Sequence, residues 1–368
     1  MHVPFGDLKR QYDANRAEYD AAVHRVLDSG WFILGKELEA FEADWAVYVG
    51  ADFAVGCGSG TEAIHLALWA HGIGPGDRVV TVPNTCVPTV AGIRLAGATI
   101  ALCDVDPDTG MMDHRALDTE LKRNPAKAVV PVHLYGQPAG ISLIAGVAAR
   151  HNVALVDDAA QAHGAVYRGR RVGAQGFLTC WSFYPSKNLG AFGDAGAVTT
   201  HSEEMATRLR KLRNYGQERR YFHSDPGTNS RLDEMQAAVL RVKLAFLDQW
   251  NERRRAIAQR YRQEIVNPAI RFLTPTPDST GCGHLFPVFF RERDLFVRMM
   301  AETGVECLIH YPVPVHLQGA YGDLGYRRGD FPNAERLCGE VVSLPLFPEL
   351  TDAEVSHVIA SANSVQPD

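Results

Sequence analysis

Val153-Ala154-Leu155-Val156-Asp157-Asp158-Ala159-Ala160-Gln161-Ala162-His163-Gly164 is the stretch from which the rest of the chain can be ordered. An apolar run of strand length ends on two carboxylates and passes into a turn of small residues. That is the pattern of a buried strand whose carboxyl end opens onto a loop. Outward from it, strand-like segments recur at 53–57, 78–82, 98–104, 127–133, 177–183 and 195–200, with this one at 153–157. Helical patterns at 61–72, 88–96, 113–123, 139–151 and 203–214 separate most of them. The alternation predicts an α/β fold, with a mostly parallel central sheet flanked by helices. In such a sheet the strand carboxyl ends share one rim, where ligands bind.

From Arg231 to about Ile265 the apolar residues Leu232, Met235, Val239, Val242, Phe246 and Trp250 recur at helical spacing, which reads as one long helix. It carries the chain from a large domain, 1–250, into a smaller C-terminal α+β domain, 251–368, with Pro-rich loops at 312–314 and 345–348. The 368 residues are 46% hydrophobic and 22% charged, with a net charge of −6, an ordinary globular composition that argues against a nucleic-acid partner. The triplet Arg253-Arg254-Arg255 reads as a solvated helix face. No apolar run has membrane-spanning length, and the first ten residues hold no signal core. Seven scattered cysteines without a Cys-x-x-Cys pair fit reduced thiols in a cytoplasm. No metal-ligand spacing occurs.

Three sites at strand ends carry chemistry. In Gly58-Ser59-Gly60-Thr61-Glu62-Ala63 a short strand opens a helix, and a helix N-terminus offers free N–H groups and a positive dipole end to a phosphate. The same residues match a dinucleotide fingerprint, but the next strand ends in Pro83-Asn84 with no carboxylate, which argues against that use. Asp157 or Asp158 ends a buried strand, where a carboxylate needs a partner such as a pyridinium nitrogen. Asp158 is preferred, because the Ala159–Gly164 turn follows it directly. Lys187 lies in Trp181-Ser182-Phe183-Tyr184-Pro185-Ser186-Lys187-Asn188-Leu189-Gly190, a turn after an aromatic run. Desolvation there lowers a lysine pKa and makes the amine nucleophilic. Amine, carboxylate and phosphate cradle together are what pyridoxal phosphate requires. His133, His163, His310 and His316 read as structural or supporting residues. His316 sits in the rigid aromatic loop His310-Tyr311-Pro312-Val313-Pro314-Val315-His316, which is suited to lining a substrate pocket.

The chain resembles the sugar aminotransferases of the DegT/DnrJ/EryC1/StrS group, fold-type I enzymes that use pyridoxal phosphate. The resemblance runs through Ser29–Gly35 with Phe41-Glu42, Ser59-Gly60-Thr61, Asp158–Ala165, Ser182–Gly190, Gly227-Thr228-Asn229-Ser230-Arg231 and the His310–His316 loop. It implies that Lys187 holds pyridoxal 5'-phosphate as a Schiff base and shuttles the substrate proton, and that Asp158 pairs with the ring nitrogen. It implies further that Gln161 lies near the ring hydroxyl, and that Gly60, Thr61 and Ser182 bind the phosphate. Asn229 would reach that phosphate from a neighbouring subunit, giving a homodimer with shared active sites. One departure stands out: Cys86 occupies the place where many members carry an aromatic residue that stacks on the cofactor ring.

The activity so implied is amino transfer to a nucleotide-linked keto-sugar, with L-glutamate as donor and pyridoxamine 5'-phosphate as the form between half-reactions. The segment Asp28–Gly35 resembles members that act at sugar C3, such as on a 3-keto-6-deoxyhexose carried by dTDP. Amination at C4 and a cyclitol (keto-inositol) aminotransferase remain alternatives. A dehydratase of the family replaces the lysine by histidine, and a non-catalytic regulator would be marked by loss of Lys187 or Asp158; both are retained here. Candidate substrate-facing residues are Trp31, Tyr184, Arg219, Tyr221, Tyr311 and His316, with Arg219 suited to a diphosphate.

Overall fold

The computed structural model describes residues 1–367. Seven strands form its central sheet: β1 Phe53–Cys57, β2 Arg78–Thr81, β3 Thr99–Leu102, β4 Ala128–Val129, β5 Ala154–Asp158, β6 Leu178–Ser182 and β7 Gly196–Thr200. Their order is β1-β7-β6-β5-β4-β2-β3. All neighbours run parallel except β7, which is antiparallel to both β1 and β6. Each strand-like segment of the sequence carries one of these strands. The segment 127–133 narrows to two ladder residues because Pro131 has no N–H to give. The pairing resumes beyond it, where Val132 bridges Asp158. Helix Gly60–Ala70 is buried on nearly every side, from Ala63 through Leu68 and at Ala70, so it sits inside the molecule against the sheet.

The long helical pattern at 231–265 resolves into two helices, Glu234–Leu244 and Leu247–Glu264. Arg231 to Asp233 lie outside both, and Asp233 bridges Ile33. The break at Ala245-Phe246 lets the apolar face change partners, which a periodicity count cannot register. The first helix packs on Arg16–Ser29 and Lys36–Val49. The second puts Ile257 and Tyr261 into a separate core with Val3, Phe286, Val288, Phe296, Val342 and Val355. At the first helix's N-terminus, the Glu234 carboxylate accepts from the N–H groups of Gly35 (2.8 Å), Glu37 (2.9 Å) and Leu38 (3.2 Å). It thereby caps helix Lys36–Val49, whose Gly35 offers no side chain for the purpose.

A third core is aromatic. Trp45 meets Trp181 edge-on at 4.9 Å and Phe183 at 5.4 Å, and Phe41 meets Phe183 at 5.3 Å. These contacts bury the underside of β6 and hold rigid the strand that leads into the Lys187 turn. Glu42 plays the same part for β1. It accepts from the Gly56 N–H (2.7 Å) and from Arg213, which also donates to the Gly56 carbonyl (2.7 Å). Both charges are buried and satisfied, and they fix the strand end that delivers Gly58-Ser59-Gly60.

The chain's two ends are joined by Arg10, which grips Glu354 with two hydrogen bonds of 2.8 and 3.0 Å. The arginine, with the Thr351 N–H and hydroxyl, holds the Glu354 carboxyl down at about 2, from its ordinary 4.5. A depressed carboxylate stabilises the fold above its unfolded pKa and loses that contribution as pH falls through the folded one. Glu354→Gln should therefore be less stable than the parent at pH 7, and the gap should close between about pH 4.5 and pH 2. Urea denaturation across that range measures it; a gap independent of pH would assign the loss to packing instead.

Candidate active site

The carboxyl ends of β5 and β6 and the N-terminus of helix Gly60–Ala70 enclose a cleft of about 350 Å³. Gly60, Thr61, Asp158, Gln161, Ser182, Tyr184, Lys187 and Tyr311 line it. Cys86, Thr85 and Thr89 close one wall from the start of helix Val87–Leu95.

Lys187 is positioned by its turn. Its N–H donates to the Tyr184 carbonyl (2.8 Å), and Ala191 N–H donates to the Phe183 carbonyl (2.7 Å). Gly190 must be glycine here, since a Cβ would lie 2.3 Å from the Pro185 carbonyl oxygen. The buried Asn188 pins the turn from behind, donating to Asn251 Oδ1 (2.7 Å) and to the Cys282 carbonyl (3.0 Å). Burial pushes the Lys187 amine below the usual lysine range, and the nearby Cys86 and Asp158 oppose that shift. No carboxylate forms an ion pair with it among the described residues.

Asp158 ends β5 with its side chain in the cleft; Asp157, on the opposite face of the strand, turns toward His133. Thr89 Oγ1 donates to Asp158 Oδ2 (2.7 Å) and the Ala160 N–H to Oδ1 (3.1 Å). Burial raises the carboxyl's pKa, while the Thr89 and Ala160 bonds and then Lys187 favour the ionised form. Gln161 accepts from the Tyr135 N–H (2.6 Å) and donates to the Tyr311 hydroxyl (3.1 Å), which fixes its amide orientation.

At the other end of the cleft, Gly60 and Thr61 are the first residues of their helix, so their N–H groups have no intrahelical acceptor. Ser59 caps the helix by accepting from Glu62 N–H (3.2 Å). Space allows nothing larger than glycine at position 60, where a Cβ would come within 2.6 Å of Ser182 Cβ. This is a backbone cradle built for close approach by an anion. Free amine, hydrogen-bonded buried carboxylate and anion cradle fit pyridoxal phosphate in chemistry and in placement along one cleft.

Other expected residues lie elsewhere. Trp31 (62% exposed), Tyr221 (78% exposed), Arg219 and Asn229 are on the surface, outside this cleft. His316 does not line it either, contrary to the expectation for its loop. Its ring is buried edge-on against Phe331 (4.9 Å), with Nε2 3.0 Å from Glu335. His163 packs among Trp45, Trp181 and Phe183, and burial pushes it down to about 3. His310 is likewise pushed down to about 4 and meets Ser343 Oγ at 3.0 Å. His133 Nδ1 accepts from the Ala139 N–H (2.9 Å). The sequence reading missed Thr89 and Asn188. A signal for the first existed: Thr85 and Thr89 are four apart, and their hydroxyls meet at 2.7 Å at the start of a helix.

Residues 13–363 match the family described as the DegT/DnrJ/EryC1/StrS aminotransferase family. Among curated relatives, the dTDP-3-amino-3,4,6-trideoxy-alpha-D-glucose transaminase of Streptomyces venezuelae is 48% identical over 97% of this chain and 94% of its own length. Among solved structures, S. venezuelae DesV in complex with a ketimine intermediate superposes with a TM-score of 0.96 at 46% identity, over 98% of each chain. NtdA from Bacillus subtilis, with bound cofactor PMP, superposes at 0.91 with 27% identity, over 98% of this chain and 84% of its own. With the lysine, the aspartate and the helix N-terminus gathered in one cleft of a matching fold, this chain belongs to the DegT/DnrJ/EryC1/StrS aminotransferase family and is a transaminase.

Proposed function

We propose that the protein transfers an amino group from L-glutamate to C3 of a dTDP-linked keto-sugar, using pyridoxal phosphate held in the cleft described above. The convergence of Lys187, Asp158 and the Gly60–Thr61 helix start on one cleft carries the reading. The C3 position and the dTDP carrier are supported by the relative that is 48% identical over nearly the whole chain. When bound, the cofactor supplies an aromatic ring that accepts the electron pair released at the substrate carbon.

The chain's own residues do the rest. Lys187 would hold the cofactor by its aldehyde, since burial leaves its amine readier to lose its proton. The same amine would carry the proton from the substrate carbon and return it. Asp158, oriented by Thr89, would favour a protonated ring nitrogen. With the cofactor bound, Gln161 would meet the ring hydroxyl, and Gly60, Thr61 and Ser182 would hold the phosphate. Tyr184 and Tyr311 face the substrate from the cleft wall.

Trp31, Arg219, Tyr221 and Asn229 serve the cleft of a second subunit in a homodimer. Their exposure supports this, as do the neighbouring exposed apolar residues Phe32, Tyr215 and Phe222, which a monomer would leave in water. No helix among the described residues is long and apolar enough to cross a membrane.

The test is the visible spectrum of the purified protein before and after L-glutamate, followed by dTDP-keto-sugars as acceptors and NMR of the product. Loss of the aldehyde-form band on adding glutamate, and nitrogen on C3, are expected. Nitrogen on C4, or turnover of free keto-cyclitols in preference to nucleotide sugars, would overturn the substrate reading. A protein that takes up no cofactor would overturn the whole assignment.

A further inference from the structure

A second cavity, of about 300 Å³, lies behind the active cleft and shares no residue with it. Helix Leu247–Glu264 forms one wall, the loop from Leu273 to Pro287 another, and the Tyr135–Gln137 turn its inner end. Every charged side chain in its lining is an arginine: Arg255 and Arg262. They are two helical turns apart on one face, about 10 Å along the axis.

Among the described residues, neither arginine has a carboxylate partner. Arg255 makes no hydrogen bond or ion pair among the described residues, although acidic side chains outnumber basic ones in this chain and carboxylates pair many of its other arginines. Arg262 is held in place without being neutralised. Its Nη1 donates to the Leu273 carbonyl (3.0 Å), and its guanidinium lies over the rings of Phe272 (5.8 Å) and Phe286 (5.6 Å). Gln259 stands between the arginines on the same helix face, Leu273, Leu285 and Phe286 supply apolar surface, and Gln137, Thr274, Ser279 and Thr280 add further polar groups.

We propose that this cavity is a second ligand site, for a phosphate monoester carried on a small ring. Two unopposed guanidiniums match the charge of a phosphate dianion, whereas a carboxylate would neutralise only one. The apolar floor takes the ring, and the volume suits a small molecule. The site is placed to act on the active cleft, because a single layer of backbone separates them. The Tyr135 N–H that donates to Gln161 belongs to a turn lining this cavity, and the Cys282 N–H donates to the Gly136 carbonyl (3.0 Å). Gly136 leaves no slack in that layer, since a Cβ there would lie 2.7 Å from Cys282 Sγ and 2.8 Å from His284 N.

The experiment is calorimetric titration of the cofactor-loaded enzyme with phenyl phosphate, with benzoate in parallel and hydrogen exchange to locate the contact. Arg255→Ala is the main variant, because the side chain it removes makes no hydrogen bond or ion pair among the described residues; Arg262→Ala is the second. Phenyl phosphate is expected to bind more tightly than benzoate and to slow exchange in 273–287 and at Tyr135–Gln137. Binding should weaken at least about tenfold in Arg255→Ala. The proposal fails if neither probe binds, if benzoate binds as tightly, if both variants bind like the parent, or if protection falls only on residues of the active cleft.

Discussion

Lys187→Ala is expected to lower amino transfer by at least about 10⁴-fold, since one side chain supplies both the covalent anchor and the proton transfer. The fold should be untouched. Among the described residues the amine forms no ion pair, and the turn is held by backbone bonds at Tyr184 and Phe183 and by Asn188, none of which uses it. Two readings separate this from general damage. The variant should show no lysine-dependent visible band on adding cofactor, while its urea midpoint stays near that of the parent. Residual transfer within about tenfold of the parent would remove Lys187 from the chemistry. The direction of its pKa adds a check. Burial lowers the amine's affinity for a proton, so reaction of the cofactor-free enzyme with the aldehyde should persist to lower pH than for an ordinary lysine.

Asp158→Asn is the second large effect, a slowing of roughly a hundredfold or more. That factor corresponds to about two pKa units of lost support for a protonated ring nitrogen. Asparagine is nearly isosteric and can still meet the Thr89 hydroxyl and the Ala160 N–H, so structure and cofactor affinity should change far less than rate. A spectroscopic titration of the bound cofactor should show the ring proton lost at lower pH than in the parent. Thr89→Val should move the same titration in the same direction but less, because Thr89 acts only by orienting Asp158 and favouring its ionised form. A parent-like rate in Asp158→Asn would shift the role to another group. Asp157 is the obvious sequence neighbour, but the strand turns it to the opposite face, toward His133.

That Asp158, Gly60 and Lys187 stand at strand ends and turns around one cleft was legible because each stands where a local pattern changes. Asp158 is where an apolar run stops, Gly60 is where a strand becomes a helix, and Lys187 is in the turn after an aromatic strand. Their supports were not legible. Thr89 reaches Asp158 across 69 positions, and Glu234 caps a helix almost 200 positions upstream. The Thr85 and Thr89 spacing marks a polar helix start, but nothing near Thr89 or Glu234 in the sequence names its distant partner. The long helix misread at 231–265 has the same origin: apolar spacing persists through Ala245-Phe246 while the packing partner changes. His316 is the converse case, where a loop rich in proline and aromatics pointed to a ligand and the ring packs on Phe331.

By itself, then, the sequence determined the strand and helix alternation, the family and the residues at the strand ends, because backbone hydrogen bonding and side-chain periodicity act over a few residues. Only the tertiary structure decided which of the two aspartates faces the cleft, which aromatic and histidine residues remain outside it, and that two arginines share an unoffset cavity behind it. Those outcomes depend on which distant surfaces pack together, and burial of apolar area selects that without favouring any one pair of residues in the chain.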